Sequence, residues 1–253
     1  MNKIAIIIPS RLKAKRLENK PLKLINNKEM ILHVYEAATK SNSGEVYVAT
    51  PDEEIIKVVK GIGGNAIKTS ENHETGTDRI FEVFKNLLKN EPNLIINLQG
   101  DMPNIEPKAI SNLIDYMLKD KCDIGTLASE IKLKSEIDNP NVVKVAVKGT
   151  LAEKTFLNAV DFFRTNSNSK LRVYHHVGIY AFTNRALIKY VSLKRSNLEL
   201  ERNLEQLRAL ENKMSIHVGY IDSCPLSVDT EEDLIEIRNI MEKNDKKENC
   251  YSR

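Results

Sequence analysis

Two short, nearly unbroken apolar runs mark the chain, IAIII at 4–8 and LIINL at 94–98. Runs of that length without alternation predict strands covered on both faces, as in the middle of an α/β sheet. Between and after them, apolar residues recur at helical spacing over 30–39 (MILHVYEAAT), 52–60, 79–88 and 107–118, with short strands expected at 46–49 and 66–68. Strand and helix thus alternate from 4 to 118, which predicts a parallel, right-handed wound sheet. Beyond 120 the rhythm changes. Segments 124–131 and 142–147 read as strands without long helices between them, so an antiparallel extension is expected. Residues 150–172 show no clear period and end in TNSNSK at 165–170, a candidate dimer arm or lid.

The strand predicted at 173–182 (VYHHVGIYAF) places Tyr174, His176, Gly178, Tyr180 and Phe182 on one face and His175, Val177 and Ile179 on the other. His176 and Tyr180 can therefore line one pocket, with Gly178 leaving room between them. Residues 197–210 (NLELERNLEQLRAL) read as one helix with Leu200, Leu204, Leu207 and Leu210 inward and Glu205 and Gln206 on a solvated flank. A strand begins at 216–218, and 226–228 leads into DTEEDL, where Thr230 and Asp233 resemble a capping box for a last helix at 231–241. A polar tail, 243–253, is expected to fray. The predicted fold class is α/β, a three-layer sandwich in one domain, 1–253, with a mixed, mainly parallel sheet and a small antiparallel or dimerisation subregion near 120–180.

Composition narrows the functional classes. The 253 residues are 41% hydrophobic and 29% charged, with 38 basic and 35 acidic side chains mixed throughout. That balance gives no basic field for nucleic acid. Cys122, Cys224 and Cys250 show no C-x-x-C spacing and suggest neither a disulfide frame nor a zinc site. No stretch approaches a membrane span, and the 4–8 run is too short for a signal core, so a cytoplasmic protein is expected.

The candidate chemistry sits where strands end. In LIINLQGDMP (94–103), Gly100 is expected to turn the backbone sharply and Asp101 to emerge at the strand's carboxyl end, where open α/β sheets bind ligands and where a carboxylate can hold Mg²⁺. After the first strand, SRLKAKRLENKP (10–21) carries Arg11, Lys13, Lys15, Arg16 and Lys20, placed to neutralise a polyphosphate. It has no P-loop pattern, so side chains rather than a backbone nest do the gripping. GIGGNA at 61–66 matches G-x-G-x-x-A but follows a helix instead of a strand and reads as a helix end and turn. Thr77 is expected to cap the helix behind the polar loop 71–79. Asp229 emerges from apolar sequence at a strand-to-helix junction, available to join Asp101 on one cation.

Seven segments together carry a resemblance: IIIPSRLKAKRLENKPL, HETGTDR, NLQGDMP, NPNVVKV, HHVGIYAF, LEQLRALEN and VDTEEDL. In this order and spacing they resemble the 3-deoxy-D-manno-octulosonate (Kdo) cytidylyltransferases. The resemblance implies a nucleotide-sugar-transferase, Rossmann-like fold and transfer of CMP from CTP to the anomeric hydroxyl of Kdo, releasing pyrophosphate for lipopolysaccharide synthesis. It implies that Arg11, Arg16 and Lys20 hold the triphosphate and that Thr77, Arg79 and Gln99 belong to the nucleotide site. Asp101 and Asp229 would ligate Mg²⁺, with His176, Tyr180, Glu205 and Gln206 binding the sugar acid. A cytoplasmic homodimer with no membrane or nucleic-acid partner is expected.

The chain departs from that family twice. Met102 follows Asp101 where QGDEP is common, and the family's FSR-x-x-IP stretch, whose arginine helps bind the sugar carboxylate, is replaced by TFLNAVDFFR at 155–164. Either Asn158 stands in its place or Arg164 substitutes from a shifted position. A related acceptor such as 8-amino-Kdo or another ulosonic acid, and a non-catalytic nucleotide-binding module, are the alternative readings.

Overall fold

The computed structural model describes residues 3–13, 16–165 and 171–251. Lys15 of the basic loop and 166–170 of the candidate lid lie outside the described residues.

The first buried run forms β1 (Ile4–Pro9). A loop and a short 3₁₀ turn, Lys20–Leu22, lead through a small hairpin, β2 (Leu24–Ile25) and β3 (Lys28–Glu29), into α1 (Met30–Lys40). Then come β4 (Glu45–Thr50), α2 (Glu53–Gly61), β5 (Ala66–Lys68), α3 (Gly76–Asn86), β6 (Leu94–Leu98) and α4 (Pro107–Lys119). This half is the predicted wound sheet: β5, β4, β1 and β6 lie side by side, all parallel. Every residue of β6 is buried, as its unbroken apolar run requires.

The second half comprises β7 (Ile124–Ser129), a short α5 (Lys134–Asp138), β8 (Lys144–Val147), β9 (Phe156–Phe163), β10 (Arg172–Thr183), α6 (Asn184–Ser192), α7 (Asn197–Arg202), α8 (Gln206–Glu211), β11 (Ile216–Tyr220) and α9 (Glu231–Tyr251). β10 is the pivot. It pairs antiparallel with β6, with β7 and, through Arg172–His175, with β8. Because β7 continues through β11 and β9 to β8, these five strands close on themselves. The expected antiparallel extension is this ring.

Helices cover both faces, giving the three layers. α1, α2 and α4 pack on one side with Ile6, Ile8, Ile96 and Ile179; α3, α6 and α8 pack on the other with Ile7, Ile95, Phe162 and Phe182. The alternating residues of β10 divide between the two layers as period two dictates.

Several expectations require correction. Residues 150–172 hold a strand, β9, instead of an irregular arm. The helix expected over 197–210 is broken at Asn203, which adopts a left-handed φ of 53°, and Leu200 is exposed. The cap of α3 is Thr75, whose side chain accepts from the Asp78 amide; Thr77 lies inside the first turn. The last helix runs on through the tail to Tyr251. Gly100 does not have a positive φ, which among the described glycines is found at Gly63 and Gly149. Packing does not demand a glycine either: a Cβ there would lie at ordinary contact distance, 3.4 Å, from the Pro9 carbonyl oxygen.

Candidate active site

Because β1 and β6 are parallel neighbours, their carboxyl ends share one rim of the sheet. Ser10 and Arg11 leave β1 there, and Gln99, Gly100 and Asp101 leave β6. Two adjoining cavities open along it, one of 310 Å³ and one of 640 Å³, which share Gln99 and Glu205 in their walls. Arg11, Arg16, Lys20, Thr77, Arg79, Gln99, Asp101, His176, Tyr180, Glu205, Gln206 and Asp229 each line one or the other; Lys13 lines neither.

Asp101 and Asp229, 128 positions apart in sequence, meet at this boundary. Lys20 Nζ donates to Asp101 Oδ2 at 2.9 Å and to Asp229 Oδ1 at 3.0 Å, while Arg16 lies 2.8 Å from the other Asp229 oxygen. The loop reaches them because the Leu12 amide is tied to Asp52 Oδ2 at 2.7 Å and Lys20 starts the 3₁₀ turn. Asp229 is fixed from behind: its amide donates to Asp233, which also accepts from Thr230 in the expected capping box. Burial alone would raise the Asp229 carboxyl, but Lys20 and Arg16 outweigh it and hold it below its ordinary value. Burial works against Lys20 too and is overcome by the two carboxylates, so its ammonium is held above its usual value. The two carboxylates thus already converge on one positive centre. That is a donor set a hard divalent cation can use, completed by phosphate oxygens.

The smaller cavity is lined by two arginines, Arg11 and Arg79. Arg79 is buried, its Nη1 donating to Thr69 Oγ1 at 2.5 Å and to the Ser70 carbonyl at 2.8 Å. Burial first, and the neighbouring Arg11 guanidinium second, lower its pKa. Among the described residues neither arginine forms an ion pair with a carboxylate, so both guanidinium groups are open to an anionic ligand, although Glu74, Asp101 and Glu205 share the wall. Ser10 Oγ is buried at this wall with no hydrogen-bond partner among the described residues.

The larger cavity is walled by β10 on one side and α8 on the other. His176 Nε2 lies 2.9 Å from Thr126 Oγ1, whose single hydrogen has the Ile179 carbonyl at 2.7 Å. The imidazole therefore donates from Nε2. Burial pushes its pKa down to about 3, and it is a neutral hydrogen-bonding group at physiological pH. Tyr180 stacks obliquely 5.5 Å from it, its phenol kept well above the ordinary pKa by burial. Gly178 lines the same cavity, but it does not leave room between the two rings, which are in contact; a Cβ there would meet Gln99 Cγ at 3.6 Å.

Glu205 and Gln206 are not solvated helix residues. The break at Asn203 turns the chain so that both enter the cavity wall, and Gln206 is buried. Glu205 Oε2 accepts from Thr77 Oγ1 at 3.0 Å; Asn97 Nδ2 reaches Thr77 at 3.3 Å, and Gln99 Nε2 reaches Asn97 Oδ1 at 3.2 Å. This file of polar groups runs from one cavity to the other. Burial raises the Glu205 pKa.

Two residues were missed or undecided in the sequence. Asn97 is buried inside β6, and the signal was its amide in an otherwise apolar run. Arg164 lines the larger cavity, its Nη1 donating to the carbonyls of Pro140 (3.1 Å) and Asn141 (3.3 Å). Asn158 pairs with His217 in the ladder between β9 and β11 and is exposed, so the shifted arginine is the one that reaches the site.

Residues 5–216 match the family described as cytidylyltransferase. A 3-deoxy-manno-octulosonate cytidylyltransferase from Bartonella tribocorum is 43% identical over 241 residues, 93% of this chain and 97% of its own length. The protein of that name from Rickettsia canadensis is 41% identical over 91% of this chain and 93% of its own. Among solved structures, a CMP:2-keto-3-deoxy-manno-octonic acid synthetase complexed with CTP superposes with a TM-score of 0.87 at 36% identity, covering 96% of this chain and all of that one.

Proposed function

Since the chain belongs to the cytidylyltransferase family, within the 3-deoxy-manno-octulosonate cytidylyltransferases, we propose that it transfers CMP from CTP to the anomeric hydroxyl of Kdo, with the geometry above as its active site. The observation that carries the assignment of residues is the convergence of Asp101 and Asp229 on Lys20 between an arginine-lined cavity and a hydrogen-bonding one.

The triphosphate of CTP enters the smaller cavity, where Arg11, Arg79 and Ser10 take its oxygens. Arg16 and Lys20 face it from the loop. The sugar acid occupies the larger cavity, its hydroxyls against His176, Tyr180, Glu205 and Gln206 and its carboxylate against Arg164. Nucleotidyl transfer needs no protein nucleophile. The anomeric hydroxyl attacks the α-phosphorus, pyrophosphate leaves, and the protein contributes alignment and charge neutralisation. Holding both substrates in contiguous cavities is worth a large share of the barrier, since oriented reactants reach effective molarities of roughly 10⁵ M or more.

Asp101 and Asp229 would hold Mg²⁺. When bound, the ion supplies charge neutralisation of the phosphates and of the leaving pyrophosphate. Lys20 is then released from the carboxylates to contact phosphate, and Arg16 likewise. The use of CTP favours a cytoplasmic reaction, and the region 150–172, which holds β9, would give a homodimer its contact.

Pyrophosphate release should be followed with CTP and Mg²⁺ across Kdo, 8-amino-Kdo and other ulosonic acids. Turnover with Kdo is expected, and Arg164→Ala should raise the KM for the acid far more than that for CTP. Turnover only with an unrelated acceptor would reject the assignment; turnover with 8-amino-Kdo alone would move the substrate but keep the chemistry.

A further inference from the structure

β10 runs antiparallel to both β6 and β7, so β6 and β7 point the same way, and β11 follows β7 in parallel. The amino ends of β7 and β11 therefore lie on the rim opposite Asp101. A second group of chemistry-bearing side chains gathers there. Asp120 is the residue that ends α4, Cys122 precedes β7, and His217 is the second residue of β11. The Asp120 carboxylate, the Cys122 sulfur and a His217 ring nitrogen lie within 4.8 Å of one another.

Three further observations concern this group. His217 Nδ1 is sealed from solvent yet makes no hydrogen bond of acceptable geometry, although Asp120 Oδ2 stands 3.2 Å away. Cys122 is buried, its thiol 3.3 Å from Met117 Sδ, and so is a soft donor out of reach of bulk water. The strand is packed closely here: His217 pairs with Gly125, and Met117 lies so near that a Cβ on that glycine would fall 2.5 Å from its Sδ. Phe156 closes the other side, its ring edge-on to His217 at 5.4 Å. A thiol, an imidazole and a carboxylate contributed by two segments, behind an aromatic wall, form the donor set of a borderline-soft d¹⁰ cation instead of a hard one.

We propose that Asp120, Cys122 and His217 form a zinc site, separate from the catalytic rim, that fastens the end of α4 to β11. Ligand atoms around tetrahedral zinc lie about 3.3–3.7 Å apart, given Zn–S near 2.3 Å and Zn–N near 2.0 Å. The partly exposed Asp120 side chain has the freedom to close that gap. Binding displaces the Cys122 proton to solvent, since a coordinating thiol is held as the thiolate. Three protein ligands leave a fourth position for water.

The test is a calorimetric titration of the full chain with Zn²⁺ in excess Mg²⁺, which occupies hard oxygen sites. One equivalent should bind, with an enthalpy that varies with buffer in proportion to about one released proton. Cys122→Ser, His217→Gln and the exposed change Asp120→Asn should each weaken binding at least about tenfold. Without metal the Asp120→Asn variant, changed at a partly exposed position, should melt as the parent does, and all three should retain their rate of pyrophosphate release. With Co²⁺ as the probe, a near-ultraviolet thiolate-to-metal band should appear and vanish in Cys122→Ser. Equal affinity in the parent and all three variants, or no stoichiometric binding at micromolar Zn²⁺, overturns the site.

Discussion

Lys20 Nζ bridges two carboxylates that would otherwise repel, and this one contact decides the behaviour of the catalytic rim. Asp101→Asn and Asp229→Asn keep the shape and remove the charge. Each should lower kcat by about 10²–10³, the range found when one preorganised stabiliser of developing charge is lost, as measured by pyrophosphate release at saturating CTP. The two buried acids of the site titrate in opposite senses. Asp229 is held below the ordinary aspartate value of 3.8, so its ion pairs stabilise the fold above that pH and are lost as pH falls through the depressed value. Glu205 is raised above 4.5 by burial, so its contribution is full below that pH and fades as pH rises through the raised value. Melting curves between about pH 3 and 8 should therefore show Glu205→Gln gaining on the parent as pH rises, and Asp229→Asn falling behind it. Parallel curves for either variant would refute the corresponding environment.

At the scale of elements, the corner between α7 and α8 turns a solvated-looking helix into a wall of the site. Asn203 supplies the left-handed residue, and asparagine tolerates that conformation better than most. Behind it lies a buried ion pair. Arg208 Nε and Nη2 donate to the two oxygens of Glu199 at 2.8 and 2.6 Å, with the guanidinium 4.7 Å over the Tyr190 ring. Tyr190 in turn donates to the Glu205 carbonyl at 2.9 Å. Arg208→Ala leaves the buried Glu199 carboxylate with only Arg195 Nε at 3.0 Å and the Ser196 amide at 3.2 Å, and should cost about 3 kcal/mol, read as a lowered melting point. Arg208→Met with Glu199→Leu should recover most of it, because the uncompensated charge is gone.

This corner also shows what the sequence could and could not reveal. Period 3.6 in α1, α2 and α4 and the apolar runs of β1 and β6 announce themselves, since local pattern and burial agree there. The leucines at 200, 204 and 207 also fit one helix, and nothing local says that Asn203 stops it. β9 was illegible for a related reason. Its residues are mostly half-covered, and its partners β8 and β11 come from distant sequence, so no alternation develops. The convergence of Asp101 with Asp229 was readable only as a possibility, because both stand at strand ends on a rim whose composition depends on strand order. Arg164 against Asn158 could not be settled without the register of β9.

For the molecule as a whole, the site is a seam between two constructions. The parallel half brings the basic loop, Arg79 and Asp101; the closed ring brings His176 and Tyr180; α8 and the approach to α9 bring Glu205 and Asp229. A ligand spanning this seam binds only when both halves are folded, so it must raise global stability by mass action. CTP with Mg²⁺ at 100 times its Kd should add about 2.7 kcal/mol. At about 2–4 °C per kcal/mol for a chain of this size, that is a rise of about 5–11 °C in the melting point. Kdo alone should also produce a rise, set by its own ratio of concentration to Kd. The Mg²⁺-dependent part of the CTP shift should disappear in the double variant Asp101→Asn and Asp229→Asn, while the shift from CTP without Mg²⁺ should persist or grow, because the arginines and lysines remain and the opposing charge is gone. A Mg²⁺ increment that survives both substitutions would place the ion elsewhere and detach the two carboxylates from the chemistry assigned to them.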